Sequence, residues 1–150
     1  MAGKKVDCTE AQRSRYYSKI SGPLLDRIDI QLDVPEVKFR DIVSKEDAES
    51  SDVIRGRVSA ARDIQLRRFK GRKIYCNARM GPRDVRRFCA IGEEAERLLE
   101  TAVTKLGFSA RAYDRVLKVA RTIADLAGEA EISTAHISEA IQYRMMDRFH

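Results

Sequence analysis

Four helical segments with their own start and stop signals follow one another in the second half of this chain, and they constrain the fold most. Pro82 stands where a helix favours a first-turn proline. Ser109 and Ser133 precede apolar residues at helical spacing, as N-caps do. Gly107 and Gly128 follow two of the segments, where a left-handed residue commonly ends a helix. Short loops between such segments predict a mainly α fold, a bundle of about four helices.

The first half of the chain adds two more helices. Thr9 is the predicted cap of a short helix that ends near residue 20. Ser51 is the predicted cap of a helix of about twenty residues that runs to Phe69 and is closed by Gly71. Residues 36–50 have mixed charges and no clear period, which is typical of a loop or linker.

One isolated strand is predicted between these helices. Apolar and polar residues alternate from Ile28 to Val34, the period of a strand with one buried face, and Pro35 ends the run. A single strand cannot satisfy its backbone alone. Residues 73–80 are a weak candidate for its partner; otherwise this orphan strand belongs to a sheet outside the chain.

These patterns divide the chain into three parts. Residues 1–35 form an N-terminal arm with the strand, residues 36–80 a linker and the long basic helix, and residues 81–150 the helical bundle. No run approaches the roughly 18 apolar residues of a membrane span, and the N-terminus does not resemble a signal peptide. We therefore expect a cytoplasmic protein with no membrane partner.

The potential metal ligands are few and badly spaced. The three cysteines never form a C-x-x-C pair, and the chain has two histidines. Neither a disulfide framework nor a zinc site is indicated, and no bound metal is expected. The residues concerned are Cys8, Cys76, Cys89, His136 and His150.

The formal charge of +6 is concentrated in one segment. Between residues 55 and 73 one acid, Asp63, stands against eight basic residues: Arg55, Arg57, Arg62, Arg67, Arg68, Lys70, Arg72 and Lys73. Such a cluster can contact nucleic-acid phosphates without any base-reading motif. The alternative is a solvated helix face, and aromatic residues for base stacking are few here. The basic segment is therefore one candidate nucleic-acid interface.

Four stretches carry a resemblance to a known family: ISGPLLDRIDI, NARM, LGFSARAYDRVLKVARTIADLAG and HISEAIQYR. Together, and in this order over nearly the whole chain, they resemble the C-terminal region of the magnesium-chelatase-like AAA+ ATPases of the YifB/ComM group. The resemblance implies that the arm is the end of a truncated ATPase core and that the bundle is the entire lid. The orphan strand would then be the last strand of that core's sheet.

The phosphate-binding and magnesium-binding motifs of such ATPases do not occur in this sequence. It contains no G-x-x-x-x-G-K-[ST] and no apolar strand that ends in adjacent acids. We therefore expect no ATPase activity from this chain alone, and ATP and magnesium are expected in the full-length parent but not bound to this chain. Relatives often have a cysteine-rich segment upstream of LLDR, whereas here that stretch contains only Cys8.

The resemblance implies a catalytic role for the turn before the strand. In the family an arginine in patterns like LLDR is the finger that reaches the ATP site of the neighbouring subunit, and Arg27 matches it. Asp26 would position that side chain. A guanidinium suits the task because it carries fixed charge and forked donors. The alternative is a local salt bridge between Asp26 and Arg27 that only shapes the turn.

The resemblance also implies a nucleotide-sensing arginine in the lid. Family members place a sensor 2 arginine near the start of a lid helix, directed at the γ-phosphate bound by the same subunit. Arg111 matches this place, and Arg115, one turn later, is its rival. The alternative is a solvated basic stripe formed by Arg111, Arg115 and Lys118.

The function implied is a share in ATP hydrolysis by a hexameric ring, whose neighbouring subunits are the expected partners. The longer protein would be a DNA-remodelling motor like ComM, with DNA as a further partner. Three alternatives stay open: a nucleic-acid-binding helical module, a magnesium chelatase subunit, and a helical protein-interaction domain.

Overall fold

A computed structural model describes residues 9–17, 19, 24, 27–32, 34–37, 39, 43 and 48–144. The described part contains six α-helices and one 3-10 helix. In chain order these are α1 (Glu10–Tyr17), α2 (Ser51–Arg68), the 3-10 helix (Asn77–Arg79), α3 (Pro82–Phe88), α4 (Glu93–Leu106), α5 (Ala110–Ala127) and α6 (Thr134–Gln142). The prediction of a mainly α fold with a helical bundle is confirmed.

Local signals in the sequence set the helix ends. The Ser109 hydroxyl accepts a hydrogen bond from the Ala112 backbone N–H at 3.2 Å and so caps α5, as predicted. At α2 the cap is Ser50, one residue before the predicted Ser51, and its hydroxyl accepts from Val53 N–H at 3.4 Å. Gly107 and Gly128 end α4 and α5 with φ of 65° and 74°, which a residue with a Cβ rarely adopts.

Helix α5 is the centre of the bundle. It packs against α6, α2, α3 and the 3-10 helix, while α6 also packs against α4. Leu99, Val116 and Ile137, from three different helices, are fully buried. Phe69, directly after α2, belongs to the same core, whereas residues 51–60 at the start of α2 are exposed throughout. The end of α2 is therefore anchored to the bundle, and its first half projects from it.

The orphan strand has no partner in the part of the chain that the structure describes. Residues 28–32 and 34–37 form no β-ladder, and Gln31 N–H donates instead to the Tyr143 carbonyl at 2.8 Å. The weak partner candidate, residues 73–80, contains the 3-10 helix and does not form the second strand. The one isolated β-bridge in the described part joins Ile91 and Ile132, which are elsewhere in the bundle. Without a sheet, the alternating pattern alone does not produce a strand.

Among the described residues, no helix combines the length and the apolar character that crossing a membrane requires. Within the same residues, no three His, Cys, Asp or Glu side chains are grouped as a metal site would need.

Candidate functional site

Among the described residues of the arm, residues 27–31 contact α5 and the two residues that directly follow α6, Tyr143 and Arg144. Arg115 Nη1 donates to the Arg27 carbonyl at 2.9 Å, and the same guanidinium pairs with the Asp29 carboxylate. Arg144 Nη1 donates to the Ile28 carbonyl at 2.9 Å. We call this set of bonds, together with Gln31 to Tyr143, the arm contact. It joins residues that are between 86 and 116 positions apart in the chain.

The arm contact combines an exposed half and a buried half. The Arg115 and Asp29 side chains are 28% and 46% exposed, so solvent weakens their attraction. Arg144 is fully buried, and its guanidinium lies over the Phe108 ring at 5.8 Å. Arg144 therefore anchors the arm, while the partly exposed pair between Arg115 and Asp29 can break more easily.

Arg111 lies one turn before Arg115 on α5, and its surroundings differ. Its side chain is exposed and has no hydrogen bond or ion pair within the described part of the chain. It lines an open cavity of about 190 Å³ together with Arg115, Lys118, Asp114, Asp29 and Ala78. Three cationic side chains against two carboxylates give this cavity a net positive charge. The two rival sensor arginines thus have different environments, because Arg115 is bound to the arm and Arg111 faces solvent.

Arg27 is held by its backbone, with its side chain exposed. Its N–H donates to the Leu24 carbonyl at 3.0 Å, which closes a turn, and its own carbonyl accepts from Arg115. Asp26 lies outside the described residues, as does the local salt bridge that was the alternative for this pair. The turn therefore presents the Arg27 guanidinium to solvent while the following residue, Ile28, is fixed to the bundle.

Some cations of the basic segment have a side-chain partner and others do not. Exposed acids on or near α2 pair with two of them: Arg55 with Asp52 at 3.0 Å and Arg57 with Glu49 at 2.7 Å. Arg62 donates to Gln65 at 2.9 Å.

The cations beyond the middle of α2 differ from one another in burial and in their partners. Arg72 pairs with Asp84 and lies over the Phe88 ring at 5.2 Å. Arg68 is 13% exposed and is bound to Asp125. Exposed side chains with no bond in the described residues are those of Arg67, Lys70 and Lys73. Within the described part of the chain, these three are the cations of the predicted interface that are both exposed and without a side-chain partner.

A buried polar cluster between α2, the 3-10 helix and α5 was missed by reasoning from sequence. Asp125 accepts from Arg68, from Asn77 Nδ2 at 2.8 Å and from Arg121 Nε at 3.1 Å. Arg121 also donates to the Ala130 and Glu129 carbonyls after α5, at 2.7 and 2.6 Å. The signal was present: Arg121 and Asp125 occupy positions of the apolar stripe of α5, where a charge needs a buried partner.

The cluster shifts the pKa values of the groups in it. Burial alone would raise the pKa of Asp125, but hydrogen bonds from Arg68 and Asn77 and the charges of Arg68 and Arg121 bring it below its usual range. Burial lowers the pKa of Arg121, although Asp125 opposes that shift. Nearby, burial raises the pKa of the Cys89 thiol to about 11. These groups are closed to solvent, so they are poor candidates for catalysis.

The geometry defines a class: a helical domain centred on one long helix, with the end of a preceding segment docked on its surface. Residues 48–144 match the family described as magnesium chelatase, subunit ChlI C-terminal, and residues 1–42 match magnesium chelatase, subunit ChlI. The chain therefore belongs to the magnesium chelatase ChlI C-terminal family. The resemblance to magnesium-chelatase-like proteins of the YifB/ComM group is confirmed.

Individual relatives support this assignment. The chain is 41% identical over 148 residues to the uncharacterized protein YifB of Salmonella typhimurium, and 42% over 148 residues to YifB of Escherichia coli. It is 41% identical over 138 residues to the competence protein ComM of Haemophilus influenzae. These matches cover 91% to 97% of this chain but only 26% to 28% of the relatives. The chain thus corresponds to about a quarter of their length.

Proposed function

We propose that this chain is the C-terminal part of a magnesium-chelatase-like AAA+ ATPase and contributes two arginines to ATP hydrolysis. Arg27 is the finger that completes the ATP site of a neighbouring subunit. Arg111 is the sensor 2 residue that contacts the γ-phosphate of ATP in its own subunit. ATP, magnesium and the remaining ligands belong to the core of the longer protein, and hydrolysis takes place in a hexameric ring.

The observation that carries the proposal is the different engagement of Arg111 and Arg115. Arg115 is committed to the Arg27 carbonyl and to Asp29, whereas Arg111 is exposed beside a cationic cavity. A sensor needs a guanidinium that can reach an incoming phosphate, and an arginine without other partners can do so without first breaking an existing bond. This supports Arg111 over Arg115 and makes a purely solvated stripe the weaker interpretation.

The exposure of Arg27 supports the second role. Its turn is closed by a backbone bond to Leu24, and its side chain extends into solvent, as a residue that acts on another subunit requires. During phosphoryl transfer, negative charge spreads over the transferred group, and a guanidinium with fixed charge stabilises it. Lysine has no planar fork and would not replace it fully. Asp26 is assigned a positioning role on the family resemblance alone.

The positive cavity fits the phosphate end of a nucleotide better than it fits magnesium. Its cations, Arg111 and Lys118, can stabilise anionic oxygens. Of its two carboxylates, Asp29 is already paired with Arg115. We therefore assign the magnesium ligands to the core of the longer protein, and this chain's share is to bind and orient the γ-phosphate.

The deciding experiment is the steady-state ATPase rate of the longer protein with Arg27→Ala. Because a finger supplied in trans is worth on the order of a thousandfold in kcat, we expect a collapse of that size, while light scattering shows an intact ring. Arg79→Ala removes another exposed arginine and should leave kcat unchanged. An unaltered rate for Arg27→Ala would refute the assignment.

The motor's substrate is proposed from the relatives. One of them is named a competence protein, and this supports a DNA-remodelling role of the ComM kind for the longer protein. The family name supports the alternative, a magnesium chelatase subunit. The two alternatives share the same arm and lid. Stimulation of ATPase activity by DNA would favour the first, and stimulation by a porphyrin together with its chelatase partners the second.

A further inference from the structure

We infer that Arg115 is a positioning residue that links the finger turn to the nucleotide-sensing helix, so that nucleotide binding in one subunit sets the finger of the same subunit for its neighbour's site. The inference deepens the proposed function and rests on it. It concerns a residue that the proposal leaves without a role in either ATP site.

Arg115 holds one particular atom of the arm. It is the carbonyl oxygen of Arg27 itself, at 2.9 Å from Nη1, and not a neighbouring part of the arm. The same nitrogen pairs with Asp29, two residues further on. A movement of the Arg115 guanidinium therefore acts directly on the backbone that carries the finger.

A rigid link joins Arg115 to the proposed sensor, Arg111. Arg111 and Arg115 are four residues apart on α5, one turn of a continuous helix of 18 residues. Phosphate binding that shifts or rotates the start of α5 must also move Arg115. The arm contact then transmits that movement to Arg27.

The two halves of the arm contact differ in burial. Arg144 is fully buried and holds the Ile28 carbonyl, so this part of the arm stays attached to the bundle. The Arg115 pair is partly exposed and can break at low cost. Ile28 is thus fixed by a buried bond, whereas the bond that holds the Arg27 carbonyl can be broken and formed again. This arrangement suits a contact that changes with the nucleotide state better than a permanent structural contact.

The coupling can be measured first without any ATPase assay. Trypsin cleaves after arginine, and the Arg27–Ile28 bond is the one whose flanking carbonyls Arg115 and Arg144 hold. In the 150-residue chain, Arg115→Gln should accelerate cleavage at this bond several-fold, with an unchanged circular dichroism spectrum. Arg111→Gln, one turn away, is the matched control and should not. Equal cleavage rates for Arg115→Gln and the unaltered chain would overturn the inference.

The longer protein gives the functional readout. Because Arg115 acts on the neighbour's site, Arg115→Gln should lower kcat at least tenfold with little change in KM for ATP, whereas Arg111→Gln should raise KM. Arg115→Lys, which keeps a donor for the Arg27 carbonyl and a positive charge for Asp29, should retain more of kcat than Arg115→Gln. Failure of Arg27→Ala to lower kcat would refute the proposed function, whatever the trypsin result. A normal kcat in Arg115→Gln, with Arg27→Ala inactive, would refute only the positioning role.

Discussion

Arg68 and Asp125 form a two-pronged ion pair between residues 57 positions apart in the chain. Arg68 Nη1 and Nη2 donate to the two carboxylate oxygens at 2.7 and 2.5 Å. The Asp125 side chain has no exposed surface, and that of Arg68 is 13% exposed. Paired geometry of this kind is directional as well as strong. It fixes the end of the basic helix α2 on the central helix α5.

Removal of the Arg68 guanidinium should destabilise the fold. Arg68→Ala leaves the Asp125 charge buried with only part of its pairing, and loss of one partner of a buried pair typically costs about 3–5 kcal/mol. The free energy of unfolding from urea titration measures the loss. Arg67→Ala, the exposed neighbour, should change it by no more than about 0.5 kcal/mol. Similar losses in both variants would contradict a structural role for Arg68.

The low pKa of Asp125 predicts how stability depends on pH. Because its pKa is lower in the folded than in the unfolded chain, where it is about 4, its contribution is complete above that value. The contribution is lost as pH falls through the folded pKa. Asp125→Asn should therefore lower the free energy of unfolding at pH 7 and flatten its fall below about pH 4. Asp63→Asn, exposed on α2, serves as the control. A wild-type slope in Asp125→Asn would disprove this origin of the pH dependence.

The two cysteines in the described part should differ in reactivity. Cys89 is buried, with a pKa of about 11, whereas Cys76 is partly exposed. At pH 8, a pKa of about 11 leaves only about one Cys89 thiol in a thousand ionised. The thiolate is the form that reacts, so Cys89 should react slowly. Iodoacetamide should label Cys76 well before Cys89, and mass spectrometry of the peptides resolves the two. Denaturant should remove the difference, and rapid labelling of native Cys89 would contradict its burial.

Any DNA binding by the basic segment should depend on its exposed, uncommitted cations. We expect Arg67→Ala, Lys70→Ala and Lys73→Ala together to weaken binding and to reduce the slope of log affinity against log salt by about 2 to 3. A control with three other exposed cations replaced, Arg79, Arg97 and Lys105, should keep most of the slope. Fluorescence anisotropy at 50 and 200 mM salt measures both. A DNA affinity that does not change with salt, or that is unchanged when Arg67, Lys70 and Lys73 are replaced, would refute phosphate contact by this segment.

The helices were largely predictable because their signals are local. Ser109, Pro82, Gly107 and Gly128 act through their own backbone or the next turn, so the neighbouring sequence suffices. The predicted cap of α2, Ser51, was one residue too late, because two adjacent serines both suit a cap by type and the structure uses Ser50. The buried cluster around Asp125 was not predicted, because its partners lie 48 and 57 residues away.

The sequence by itself determined the helical class, most helix boundaries, the family resemblance and the short set of arginines that merit attention. Only the tertiary structure decided which partner each of those arginines has. Arg111, Arg115 and Lys118 look alike as a helical stripe, and Arg67 and Arg68 are adjacent in the chain. Contacts from distant residues assign Arg115 to the arm and Arg68 to Asp125, because hydrogen bonding and burial depend on which segments meet in space.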